Sequence, residues 1–173
     1  NTLLRPLIYR EWASKVAAIN NLEQSKLESF LFGIERDVPE SLRKPLLELH
    51  DKTCFYCRKP IKSEMHIDHF IPFARFPDNR IQNLVPAHAA CNVAKKDFLA
   101  GTSHVSHWVE YLDKKAKELV AIAEMAAVDQ HPVHTIAAAR GIYMRLDKTA
   151  DLWAEADKFE AANPDIIRQL LSA

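Results

Sequence analysis

At 173 residues the chain is long enough to bury one respectable core, or a small core with a helical annex. Basic and acidic residues balance at 23 each, so bulk charge selects no partner, and no run approaches the ~20 apolar residues of a membrane span. Three glycines beside abundant Ala and Leu favour helices over a sheet-rich fold.

The opening NTLLRPLIYR lacks the apolar core of a secretion signal, and its start without Met is compatible with a fragment of something longer. Residues 3–51 read as helices. Ile8, Trp12, Val16 and Ile19 recur at helical spacing, as do Leu27, Phe30, Leu31 and Ile34. Asp37 and Glu40 resemble a capping box opening a third helix through Leu42, Leu46 and Leu49, which Pro45 is expected to kink. Such stripes are core faces first, because packing alone explains a one-sided apolar helix.

Residues 52–100 break this pattern. TCFYCRKP carries two cysteines, MHIDHF is short and strand-like, and Pro72, Pro77 and Pro86 punctuate an irregular loop. A helix is expected from Ala89 to about Leu99, with Gly101 as its stop signal. Beyond it, Val105, Trp108, Val109, Leu112, Ala116 and Leu119 mark one long amphipathic helix, and a second centres on Ile136, Tyr143 and Leu146. Shorter helices are expected after Thr149 and after Asn163-Pro164, an N-cap followed by Pro at the first helical position. The resulting division is a helical segment over 1–51, a site module over 52–101 and a second helical segment over 102–173.

Charge is uneven across these parts. Residues 52–96 hold eight Lys or Arg against three acids, a net of +5 between flanks of −1 and −4. A cationic centre suits a polyanion such as nucleic acid, and a solvated surface explains it equally well.

Cys54 and Cys57 are three apart in CFYC, and His88 and Cys91 are three apart in HAAC. Two tight turns offering two donors each can deliver the four that tetrahedral zinc needs. His50 and His66 are the alternatives to His88. Three cysteines make a poor disulfide framework but complete a metal set with one histidine, which favours a reducing cytoplasm. Downstream, Asn92 follows Cys91 directly, so a rigid knuckle would fix its amide oxygen as a hard ligand. Asp68 and Asn92 together supply two oxygen donors, which suits Mg²⁺. On a strand His66 and Asp68 share a face, and His69 joins them only where the strand ends.

The order Cys-x-x-Cys, then HIDHFIP, then NLVPAHAACNVAKKD resembles the HNH family of nucleases over roughly residues 52–99. The resemblance implies a mainly α protein with a small β part. Its centre would be a ββα-metal module with structural zinc, flanked by N- and C-terminal helices. It implies His69 as general base, Asp68 and Asn92 as ligands of a catalytic Mg²⁺ or Mn²⁺, and Asn83 as the middle asparagine that orients the base through the loop. The last signature position is Asn92 rather than His, and His88 stands where the family's fourth zinc cysteine usually lies. The expected activity is phosphodiester hydrolysis in DNA leaving 5′-phosphate and 3′-hydroxyl ends, and family analogy places it in restriction or anti-phage defence.

His66 is a candidate for ion ligation, phosphate contact or plain packing. Lys95, Lys96, Arg75 and Arg80 are candidates for phosphate contacts or for a solvated face. His104, His107, His131 and His134 are read as helix-end or surface residues. Two other function classes remain in view: a zinc knuckle that holds nucleic acid without cutting, and an adaptor that docks a protein partner or a second copy through its helical flanks. An exposed Trp12 or Trp108 in an apolar patch would favour the adaptor.

Overall fold

A computed structural model describes residues 38–62 and 64–172, together with residues 8, 11, 12, 14 and 15. Those five are helical, and Ile8 and Trp12 among them are exposed. Val16, Ile19 and the stripe from Leu27 to Ile34 lie outside the described residues, as does Asp37 of the expected capping box.

One 3₁₀ turn (Glu40–Leu42) runs into α1 (Arg43–Leu49), with Pro39 before it and no side-chain cap. Pro45 falls in the first turn of α1, where a missing N–H costs no helical bond, and the helix continues past it. Leu42 and Leu46 are fully buried.

The centre is a hairpin followed by a helix. β1 (Met65–His69) pairs antiparallel with β2 (Leu84–His88), placing His69 opposite Leu84 and Met65 opposite His88. α2 (Ala89–Lys95) follows β2 without a gap. It stops short of the expected Leu99, because Lys96 turns left-handed at φ 52°. Gly101 is therefore not its stop signal. It precedes α3 (Thr102–Lys114), and a Cβ there would come within 2.7 Å of Glu160 Oε1, which accepts from Thr102 N–H at 2.6 Å.

The expected long helix is two, α3 and α4 (Ala116–Ala126), broken at Lys115. α5 (Pro132–Tyr143) ends before Leu146. After Thr149 comes a hairpin rather than a helix: β3 (Asp151–Glu155) with β4 (Lys158–Ala161). Its helix-forming Ala and Glu content is overridden by long-range pairing. Trp153 N–H donates to Leu99 O and Gly101 N–H donates to Trp153 O, both at 2.8 Å. α6 (Pro164–Leu170) starts as expected, with Asn163 Oδ1 accepting from Ile166 N–H.

One apolar core joins these elements, from Leu42 through Phe55, Phe70, Trp108 and Tyr143 to Ile167. Phe70, just after β1, stacks on Trp108 of α3 at 4.5 Å. Among the described residues the sheet content is thus two separate two-stranded ribbons, and the first of them carries the candidate site. Among the described residues no helix is long and apolar enough to cross a membrane.

Candidate metal centres and nuclease site

The two ligand pairs converge. Cys54, Cys57, His88 and Cys91 each offer one ligand atom, all within 4.8 Å of one another. Arg58, left-handed at φ 58°, closes the first turn by donating N–H to Cys54 O at 2.9 Å. The second pair spans the β2–α2 junction, where the chain turns sharply enough to aim His88 back at Cys91.

His88 is oriented for this purpose. Its Nε2 lies 3.2 Å from Pro60 O, which can only accept, so the proton sits there and the Nδ1 lone pair faces sulfur. Nδ1 is 3.3 Å from Cys57 Sγ and 4.0 Å from Cys91 Sγ. Burial, then the nearby charges of Cys54 and Cys57, push the Cys91 thiol up to about 12. A divalent cation amid the sulfurs would relieve that repulsion, and the soft N/S donor set fits zinc. The alternative histidines stand elsewhere: His50 packs on Tyr111 and Phe55, and His66 faces Asn92.

α2 is keyed to one face of β1 at two points a turn apart. Asn92 Nδ2 lies 3.1 Å from His66 Nδ1, and Lys95 Nζ lies 2.8 Å from Asp68 Oδ2. His66 and Asp68 are two apart on the strand while Asn92 and Lys95 are three apart on the helix, so both pairs match at once. Tyr56 O–H also donates to Asp68 Oδ2, at 2.6 Å. Burial first, and then the Asp68 charge, hold the Tyr56 phenol well above its usual range, which keeps it a donor. Both contacts fall on Oδ2 and leave Oδ1 for another partner.

His69 ends β1, and its ring reaches the other way along the loop. Its Nε2 is 2.8 Å from Asn79 Oδ1, and its edge meets Phe73 at 5.1 Å. Lys95 Nζ donates to the His69 carbonyl at 2.9 Å, so one buried ammonium holds both Asp68 and the backbone of its neighbour.

Residues 54–100 match the HNH endonuclease family model. No curated protein matches the chain. The match covers the knuckle, the β1–β2 hairpin and α2, and stops where α3 is about to begin.

Within the matched segment, several sequence expectations need correction. Lys95 is not presented to a phosphate. It is fully buried, with its charge spent on Asp68 and the His69 carbonyl. Arg80 bonds to the buried Asp78 at 2.9 Å, which draws it onto its own loop. Arg75 Nε donates to Asp97 O at 2.7 Å across the end of α2. Lys96 is exposed and borders, with His66, Phe73 and Asn92, a groove of about 430 Å³. His66 has Nδ1 toward Asn92 and Nε2 toward Glu64 at 3.3 Å, so neither ring nitrogen is turned outward as a ligand.

Asn83 is a latch for the loop. Its Oδ1 accepts from Ile71 N–H, its Nδ2 donates to Ile71 O and Asp78 O, and its own carbonyl accepts from Phe70 N–H. A side chain within hydrogen-bond distance of the His69 ring is Asn79, which the sequence reading missed. A polar residue in a Pro-Asp-Asn turn gives no local sign that it will meet a histidine ten positions back.

The helical flanks grip this loop. Trp108 of α3 donates to Gln82 O, Thr135 of α5 donates to Asp78 Oδ2, and Gln82 Oε1 accepts from His131 N–H. Trp108 is therefore a buried brace and no docking residue, whereas Trp12, the other tryptophan named for a docking patch, is exposed, as is the helical Ile8. His104 is also buried rather than at the surface, stacked on Trp153 and donating to Ala154 O.

Proposed function

We propose that the protein is a metal-dependent HNH endonuclease that hydrolyses phosphodiester bonds in DNA. The single observation that carries this reading is the double register of α2 on β1, which sets Asn92 against the strand face that carries His66 and Asp68 while His69, at the end of β1, turns its ring to Asn79 of the loop. A zinc knuckle that only bound nucleic acid would have no use for that arrangement.

In this reading residues 52–101 form a ββα-metal module. Zinc on Cys54, Cys57, His88 and Cys91 has a structural role, and the flanks over 1–51 and 102–173 frame the module. Asp68, through the oxygen that Lys95 and Tyr56 do not engage, and the Asn92 amide oxygen would hold one Mg²⁺ or Mn²⁺. When bound, that cation supplies charge compensation at the scissile phosphate and the departing 3′ oxygen.

The chain's own residues do the rest. Asn79 Oδ1 can only accept, so His69 carries its proton on Nε2 and keeps the basic lone pair on Nδ1. His69 takes a proton from water at Nδ1 as the water oxygen bonds to phosphorus in line with the 3′ oxygen; the bond from phosphorus to that oxygen breaks, and the 3′ oxygen takes a proton from solvent water. Asn83 fixes the loop on which Asn79 stands. Lys95 holds the Asp68 carboxylate and the His69 backbone in one frame. Lys96, at the rim of the groove, is placed to meet a backbone phosphate. The products carry 5′-phosphate and 3′-hydroxyl ends, and family analogy suggests a setting in restriction or anti-phage defence.

The test is plasmid cleavage with Mg²⁺ or Mn²⁺ by the wild type and by His69→Ala. Loss of cleavage in the variant, with nucleic-acid binding retained, is the expected result. Equal cleavage by both removes His69 as the base. Binding without cleavage by the wild type favours the non-catalytic knuckle.

A further inference from the structure

The contacts of His66 go beyond the residues so far given a part in the reaction. Its ring bridges Glu64 and Asn92, with Nε2 3.3 Å from Glu64 Oε1 and Nδ1 3.1 Å from Asn92 Nδ2. A carboxylate accepts only, so Glu64 favours the tautomer with the proton on Nε2. Nδ1 is then an acceptor, and the Asn92 group that can meet it is the NH₂. An amide has one NH₂ and one oxygen on opposite sides of its carbon. Fixing the first toward His66 turns the second away from it.

We infer that His66 is a positioning residue for Asn92, with Glu64 selecting the tautomer that keeps the Asn92 amide oxygen turned outward as a ligand. The inference rests on the proposed role of Asp68 and Asn92 and adds a residue pair that sets ion affinity without touching the ion. Without His66, Asn92 could flip and present an NH₂ that no cation accepts. Partners of this kind behind a ligand typically change metal affinity ~10–100-fold when removed. The His66 side chain is 32% exposed and Glu64 is more so, so their replacement leaves the core alone and acts on orientation.

The experiment measures Mn²⁺ binding to the zinc-loaded protein by calorimetry, without nucleic acid. His66→Leu should weaken binding about 10–100-fold. His66→Asn, whose Oδ1 can stand near the Nδ1 position and accept the same bond, should recover most of the loss. Glu64→Gln, which lets the other tautomer form, should weaken binding only a few-fold. Electron spin echo spectra of the Mn²⁺-loaded wild type should show no directly bound imidazole nitrogen. A bound imidazole that vanishes in His66→Leu would make His66 a ligand and overturn the inference. So would wild-type affinity in His66→Leu. Asp68→Asn and Asn92→Ala separate this failure from a deeper one. If they too bind Mn²⁺ like the wild type, the ion site itself is misplaced. If they lose binding while His66→Leu does not, only the role of His66 falls.

Discussion

Lys95 Nζ lies 2.8 Å from Asp68 Oδ2 with the two side chains 0% and 3% exposed, so β1 and α2 are joined by an ion pair that solvent cannot screen. Burying either charge alone would be costly, and the pair survives because the Tyr56 hydroxyl and the His69 carbonyl complete its hydrogen bonding. In the proposed reading, a carboxylate that would hold a divalent cation is thus already held by a protein cation on its other oxygen. The arrangement sets the position of Asp68 at the expense of some attraction for the ion.

That geometry predicts strong coupling. Lys95→Met should destabilise the zinc-loaded protein by about 3 kcal/mol, because it leaves a buried carboxylate without its partner. The double variant Lys95→Met/Asp68→Asn should cost clearly less than the sum of the single changes. Urea unfolding of all four proteins measures the coupling, and additive losses would show that the pair does not act as a unit.

Asn79 and Asn83 should separate activity from stability. Asn79→Ala removes the acceptor on the His69 ring and should lower kcat by about tenfold to a hundredfold, a part of the ~10²–10⁴ that a general base contributes. Its melting temperature should barely move. Asn83→Ala empties a buried amide with three side-chain bonds and should cost about 2–3 kcal/mol of stability. Cleavage kinetics and thermal unfolding of the two variants check both halves, and equal melting shifts would contradict the division.

Zinc removal should unfold the knuckle. The segment around Cys54 is turns and short bridges with few regular bonds of its own, so the ion's binding free energy is largely its folding free energy. Dialysis against a chelator should abolish the far-ultraviolet signal of the β1–β2 and α2 region. Added Zn²⁺ should restore it and Mg²⁺ should not. His88→Ala should bind less zinc by mass spectrometry, and full zinc content in that variant would take His88 out of the ligand set.

His50 should make stability pH-dependent. Burial first, then His107 and Lys115, lower its pKa from 6.5 to about 4. Between those values the unfolded chain binds a proton that the folded chain refuses, so stability rises with pH across this window. It should be full above pH 6.5 and fall by at most about 3 kcal/mol on acidification to pH 4. The check is a comparison with His50→Gln, whose stability should fall less between pH 6.5 and 5. Parallel curves would show that His50 is not the group responsible.

Short-range chemistry was legible from the residues alone. Ligands three apart, a proline after an N-cap asparagine, and the order of the knuckle, the histidine-flanked aspartate and the final asparagine are local patterns that determine local geometry. Left-handed φ values at the non-glycine residues Lys96 and Ala127 hid the ends of α2 and α4, because with three glycines in the chain the usual stop signal is missing there. Other features came only with the tertiary structure. Lys95 turned inward because a buried carboxylate waited opposite it, β3 formed because the backbone at Leu99 and Gly101 was open to pairing, and Asn79 met His69 because α3 and α5 pinned the loop between them. The sequence by itself determined which donors and which imidazole exist and in what order. Their facing depends on contacts tens of residues apart, whose energies no local pattern contains, and that the fold alone decided.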